Sequence, residues 1–142
     1  MNTGSRSVWI CLWVIAAVSF ANISNAAPPA VSQVRPGGNA YNPPVLTVQG
    51  NKVYKGSSTY GPVQYTIDEN MIREGATGYG KVIGTVDSKG NVHEGYGTFG
   101  QTIATVRDGK IQPGGTYSEP TIGTTDGGNV SGAAGAVFFL RN

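Results

Sequence analysis

Cysteine is nearly missing from this sequence: the one copy, Cys11, lies inside an N-terminal apolar run. If that run is removed as a leader, no thiol, disulfide or cysteine-bound metal remains. Secreted domains of this size often add disulfides to a small core; this one must rely on backbone pairing and packing. Histidine is just as scarce, with His93 alone. A serine hydrolase needs a histidine on a rigid element beside an acid and an activated serine, and no G-x-S-x-G element occurs. Charge is sparse, at 13% of residues and a formal net +2. Without Arg6 the chain holds nine basic and eight acidic residues, a near-balance that argues against nucleic acid or an anionic membrane as partner. The 22 glycines follow no strict G-X-Y period, which excludes collagen and points to many turns.

Long apolar runs are also lacking. The run "VWICLWVIAAVSFA" covers residues 8–21, short of the roughly 20 residues a membrane span needs. Arg6 precedes it and "SNA" at 24–26 follows, so residues 1–26 read as a secretory signal peptide. The expected address is secreted, periplasmic or the outer cell envelope, with no transmembrane segment in the mature chain. The remaining length suits one domain: an extended lead-in at 27–33 and a repeat domain at 34–142.

What is abundant is repetition. A branched residue recurs at Val34, Val53, Ile72, Val92, Ile111 and Val130, in steps of 19, 19, 20, 19 and 19. Thr47, Thr66, Thr85, Thr105 and Thr124 follow the first five by 13 residues, and Tyr41, Tyr60, Tyr79, Phe99 and Tyr117 precede those threonines. Each unit reads as a strand such as "VQYTI", a tight turn such as "DENM" or "RDGK", and a brief strand such as "MIRE" or "KIQP". A glycine-rich connection follows. The one longer step comes from "DSKGN", which adds a residue inside a turn. "IDENMIREG" resembles a helix locally, but the repeat places a turn in its middle.

A lone two-stranded hairpin is marginal in water, whereas arranged copies share a core and hide their edges. The expected fold class is therefore all-β, a closed radial array of five or six tandem hairpins. "VSQVR" (31–35) lacks a preceding partner and "AVFFLRN" (136–142) lacks a following turn, so these two are expected to pair as strands and close the ring. An open solenoid would instead need a polar cap at its end. No amphipathic helix is expected after residue 26.

Units such as "VYKGSSTYGPVQYTID", "IREGATGYGKVIGTVD" and "VHEGYGTFGQTIATVRDG" resemble the bacterial secreted β-flower proteins, especially the five-fold type. The resemblance covers residues 31–142 and implies tandem hairpins behind a leader peptide. It carries no activity. The final unit, from Val130, departs from the pattern because it lacks the threonine, which leaves five or six petals open.

The residue after each branched position varies: Tyr54, Arg73, His93 and Gln112. Strand alternation turns these outward if the branched residues face the core, so they are the candidate ligand-binding residues. The aromatic series is expected to cover bare backbone and plug the core, with a sugar platform as the rival reading. The threonines are expected to pair across the sheet. Glu74 and Glu94 are equivalent in adjacent units, but Lys55 and Pro113 hold that position in the flanking units, which reads as surface variation, and the turn residues Asp68, Asp87, Asp108 and Asp126 do not form a calcium loop. No catalytic residue, metal or cofactor is expected. The chain reads as a non-enzymatic binding module, with an envelope glycan or protein as partner. A self-assembling envelope protein is the alternative, and a glycoside hydrolase-like enzyme a distant third.

Overall fold

The computed structural model describes residues 30–116 and 118–142. The expected signal peptide (1–26) and the start of the lead-in lie outside the described residues. Among the described residues ten strands form, in order β1 Val31–Pro36, β2 Leu46–Gln49, β3 Lys52–Lys55, β4 Val63–Asp68, β5 Met71–Glu74, β6 Val82–Val86, β7 Asn91–Glu94, β8 Thr102–Arg107, β9 Lys110–Pro113 and β10 Gly123–Thr125. A helix, α1 Gly128–Arg141, ends the chain. The strands make one closed antiparallel barrel in sequence order, with β1 between β10 and β2. Strand β1 thus takes in residues 31–33, which belong to the barrel and not to a lead-in.

The hairpins form where glycine or a polar residue takes the positive φ a tight turn requires. Asp108 and Gly109 both do so between β8 and β9 (φ 50 and 75). The turn between β4 and β5 uses Glu69 (φ 57) where the first hairpin has Gly50 (φ 60). At each crossing from β3 to β4, β5 to β6 and β7 to β8 the register shifts directly after Val53, Ile72 and Val92. Such bulges bend a strand and increase its twist, which lets short strands curl into a barrel.

Ring closure is achieved, but by a different partner from the one the tail suggests. Strand β1 pairs Arg35 with Thr124 and Val34 with Thr125. That matches the register of a covalent hairpin, where Tyr54 faces Thr47 and Val53 faces Val48. Four continuous hairpins and this one, made from the two ends, give five equivalent positions around the axis. Residues 136–142 are not a strand, nor is "NVSG" at 129–132; both lie in α1 or at its end, and the sixth branched residue, Val130, lies there too. Ser131 to Val137 are all buried. A helix buried on every side carries no amphipathic stripe, so the pattern that usually betrays a helix is missing.

The helix fills the barrel. Val34, Val53, Ile72, Val92 and Ile111 are fully buried, each worth roughly 1.5–3 kcal/mol of transfer free energy. Opposite them across the ladder stand Leu46, Tyr65, Gly84, Ala104 and Gly123. The first two are large and the last three small. The helix accordingly leans on β6, β8, β9 and β10, with lighter contact to β1, β4 and β5. A Cβ on Gly84 would stand 2.8 Å from Val137 Cγ2, and one on Gly123 would strike the Phe139 ring. From the helix side, a Cβ on Gly135 would stand 2.6 Å from Val34 Cγ1 and 2.8 Å from Ile111 Cδ1. At the open end Ser131 Oγ lies 2.8 Å from Ser32 Oγ. Among the described residues no helix is long and apolar enough to cross a membrane.

These contacts predict that Gly84→Val and Gly123→Val each destabilise the fold by about 1–3 kcal/mol through overpacking. Gly78→Ala, where a Cβ meets nothing within 4 Å, should cost under about 0.5 kcal/mol. Thermal melts of the three variants check this; equal melting temperatures would mean that the helix does not sit against the small-residue wall.

Candidate functional site

The outer face carries two repeated devices, and both fix loops. Thr47, Thr66, Thr85 and Thr105 are buried, and their hydroxyls donate to the carbonyl oxygens of Gly56, Gly75, Gly95 and Gly114 at 2.7–2.9 Å. The threonines therefore hold the start of each loop and do not pair across the sheet. Those glycines have φ between 74 and 98, the left-handed turn that aims each carbonyl back at its threonine.

The second device uses the candidate ligand-binding residues. Arg73 Nη1 donates to the carbonyl oxygen of Gly80 (3.0 Å), and Gln112 Nε2 donates to that of Glu119 (2.7 Å). His93 Nδ1 lies 3.0 Å from the carbonyl oxygen of Gly100. Arg35 does the same, with Nη1 donating to Asn42 at 2.8 Å. Each acceptor lies seven residues downstream of its donor. Tyr54 is half-buried in the same slot. Arg35 is the member the candidate set omits, although it follows Val34 as the others follow their branched residues. The variation among arginine, histidine and glutamine is thus one role, an N–H donor to a loop carbonyl, filled by different side chains. His93 is only 8% exposed, which corrects its assignment to a solvent-facing position.

His93 also meets an acid: Nε2 lies 3.2 Å from Asp87 Oδ2. Thr102 Oγ1 stands 3.4 Å from Nδ1, which completes the outline of a hydrolase triad. The chemistry fails at Nδ1. The Gly100 carbonyl is closer and can only accept, so its contact with Nδ1 requires a proton on that nitrogen, and a protonated Nδ1 offers Thr102 no base. Burial pushes the Asp87 carboxyl up, but hydrogen bonds from the Asn91 side chain and backbone, from His93 and from the Lys89 backbone outweigh it and hold the group at about 2. Glu74 and Glu94 are exposed. Among the described residues no three His, Cys, Asp or Glu side chains gather as a metal site would require.

A third repeated feature is aromatic. Tyr41, Tyr60, Tyr79 and Phe99 are 93%, 97%, 97% and 102% exposed. This overturns the expected packing role, and the reason is visible in the barrel: the helix already fills the core. Tyr117, the fifth of the series, lies outside the described residues. The loops that carry these residues all emerge from one end of the barrel, and the five-fold register sets them around its axis. Tyr96, 77% exposed, adds to the same belt.

Residues 34–138 match the model of a family described as 6-fold beta flower protein. The chain belongs to this family. The repeats alone resemble the five-fold type, whereas the matching description is six-fold. In this beta flower the ten strands make five hairpin positions, and the sixth repeat is the helix. No curated protein and no solved structure matches the beta flower chain.

The Asp87 carboxyl gives a pH prediction. Its folded value, about 2, lies below its ordinary 3.8. Its contribution to stability is therefore complete above the ordinary value and lost as pH falls through the folded one. Asp87→Asn should melt well below the wild type at pH 5 and converge on it near pH 2. A gap that stays constant over that range would remove Asp87 from the account of loop fixation.

Proposed function

We propose that the chain is a non-enzymatic, extracytoplasmic binding module of the bacterial envelope, a five-petalled beta flower that engages a glycan through its belt of exposed aromatic side chains. The observation that carries this reading is the near-complete exposure of Tyr41, Tyr60, Tyr79 and Phe99 on equivalent loops. Exposed apolar groups repeated on one end of a protein mark a contact surface. Each aromatic face can lie against the apolar face of a sugar ring, and Phe99 in the series implies stacking as the shared role, since it has no hydroxyl to offer. A polysaccharide repeats its residues as the belt repeats its rings, so weak contacts add through effective concentration. The loop tethers suit this use because they hold each aromatic on a fixed base.

Self-assembly is the alternative. A closed barrel has no free strand edge to extend, so copies would have to meet through the same aromatic belt. Dilution-dependent mass by light scattering separates the two readings.

Changing Tyr41, Tyr60, Tyr79 and Phe99 together to serine should leave the melting temperature nearly unchanged, because exposed substitutions cost under about 0.5 kcal/mol each. The same variant should no longer be retained on insoluble envelope polysaccharide, in a pull-down where the wild type is. Retention of the quadruple variant would move the contact surface elsewhere.

A further inference from the structure

Two of the five hairpin positions carry the same aspartate and arginine in different arrangements. In the hairpin of β4 and β5, Asp68 and Arg73 are joined, with Arg73 Nε donating to Asp68 Oδ2 at 2.9 Å. The equivalent residues at the seam of β10 and β1 are Asp126 and Arg35, the same pair of side chains. There they stay apart. Arg35 donates to Asn42 and to Gln33 Oε1, while Asp126 Oδ1 accepts from the Gln33 backbone N–H at 2.7 Å. Between them opens a cleft of about 180 Å³, lined by Gln33, Arg35, Ala40, Thr124, Thr125 and Asp126. Thr124 stands where the four loop-holding threonines stand in the other hairpins. Its hydroxyl is buried and, among the described residues, has no hydrogen-bond partner.

We propose that this seam cleft binds a single sugar residue through two neighbouring hydroxyls, which rests on the glycan reading of the aromatic belt. A vicinal diol supplies what the cleft lacks. One hydroxyl donates to the Asp126 carboxylate and the other accepts from the Arg35 guanidinium, both charge-assisted hydrogen bonds. The occupant also offers an acceptor to the Thr124 side of the cleft, where a buried hydroxyl otherwise goes without a partner. The volume equals about six waters at roughly 30 Å³ each, which suits one ring and not an oligomer. One cation and one anion line the cleft together, so a neutral polyol fits where a simple anion or cation would face an unmatched charge. Tyr41 follows Ala40 directly, at 93% exposure, and gives the ring a stacking face. The belt thus supplies avidity, and the seam supplies selectivity for one kind of residue.

The test is an amide-shift titration of the protein with methyl glucoside, methyl galactoside, methyl mannoside and N-acetylglucosamine, with glycine as a zwitterionic control. One sugar should move the amides of Gln33, Thr124, Thr125 and Asp126 and leave the other hairpins still. Asp126→Ala and Thr124→Val should each weaken that sugar about tenfold, the loss of roughly one hydrogen bond. Thr124→Val should keep or raise the melting temperature, since it removes an unpartnered hydroxyl. Thr105→Val, which breaks the bond to Gly114, should lower the melting temperature and leave sugar binding intact. A response to glycine alone, equal responses at every hairpin, or no response to any sugar overturns the proposal. Polysaccharide retention without a seam response sinks this inference and spares the belt; a seam response without retention does the reverse.

Discussion

The match between the volume of the barrel and the volume of helix α1 governs the rest of the structure. Ten short strands enclose a space that their own side chains do not fill. Leu46 and Tyr65 fill it from one wall, while Gly84, Ala104 and Gly123 leave room on the other. Into that room fits a helix whose buried stretch is serine, glycine, alanine and valine. Because the interior is occupied, the loop aromatics have no core to enter. Because they stay outside, they need loops that hold shape without burying anything, and the threonine and N–H donor tethers provide that.

The tethers explain why variation and constraint look alike in this sequence. Arg35, Arg73, His93 and Gln112 differ in charge, size and planarity, yet each presents an N–H at the right reach to a carbonyl seven residues on. A purely apolar position could not do this work and a purely acidic one would repel the carbonyl. At these four positions identity is free within the class of donors.

The period of the hairpins was legible because it rests on local rules: alternation in strands, positive φ in turns, and branched residues facing inward at Val53, Ile72, Val92 and Ile111. Closure was legible from the unpaired first strand. Helix α1 was not, because "SGAAGAV" is buried all round and shows no 3.6-residue stripe, while its valine and the phenylalanines that follow favour a strand on propensity alone. The clue was present in another column of the repeat. Leu46, Tyr65, Gly84, Ala104 and Gly123 recur at unit spacing, and the change from large to small says that something else occupies that side. The aromatic series was misplaced for the related reason that burial is the usual fate of such residues, and only the filled core excludes it. His93 looked exposed because its partners, Gly100 and Asp87, are brought to it by loop and turn geometry that spacing does not encode.

Strand β1 pairs with residues some 90 positions later in the chain, and the contact of Ser32 with Ser131 spans 99. The first strand therefore cannot find its second neighbour until the chain as far as β10 exists, and the helix that fills the barrel follows β10. Topologies dominated by such distant pairings form slowly, since loop closure must precede the contacts that reward it. A chain emerging with its N-terminus first keeps an open, unfilled sheet until β10 and α1 arrive. Until then neither the ring nor its filling exists, so closure and packing come together in one late step.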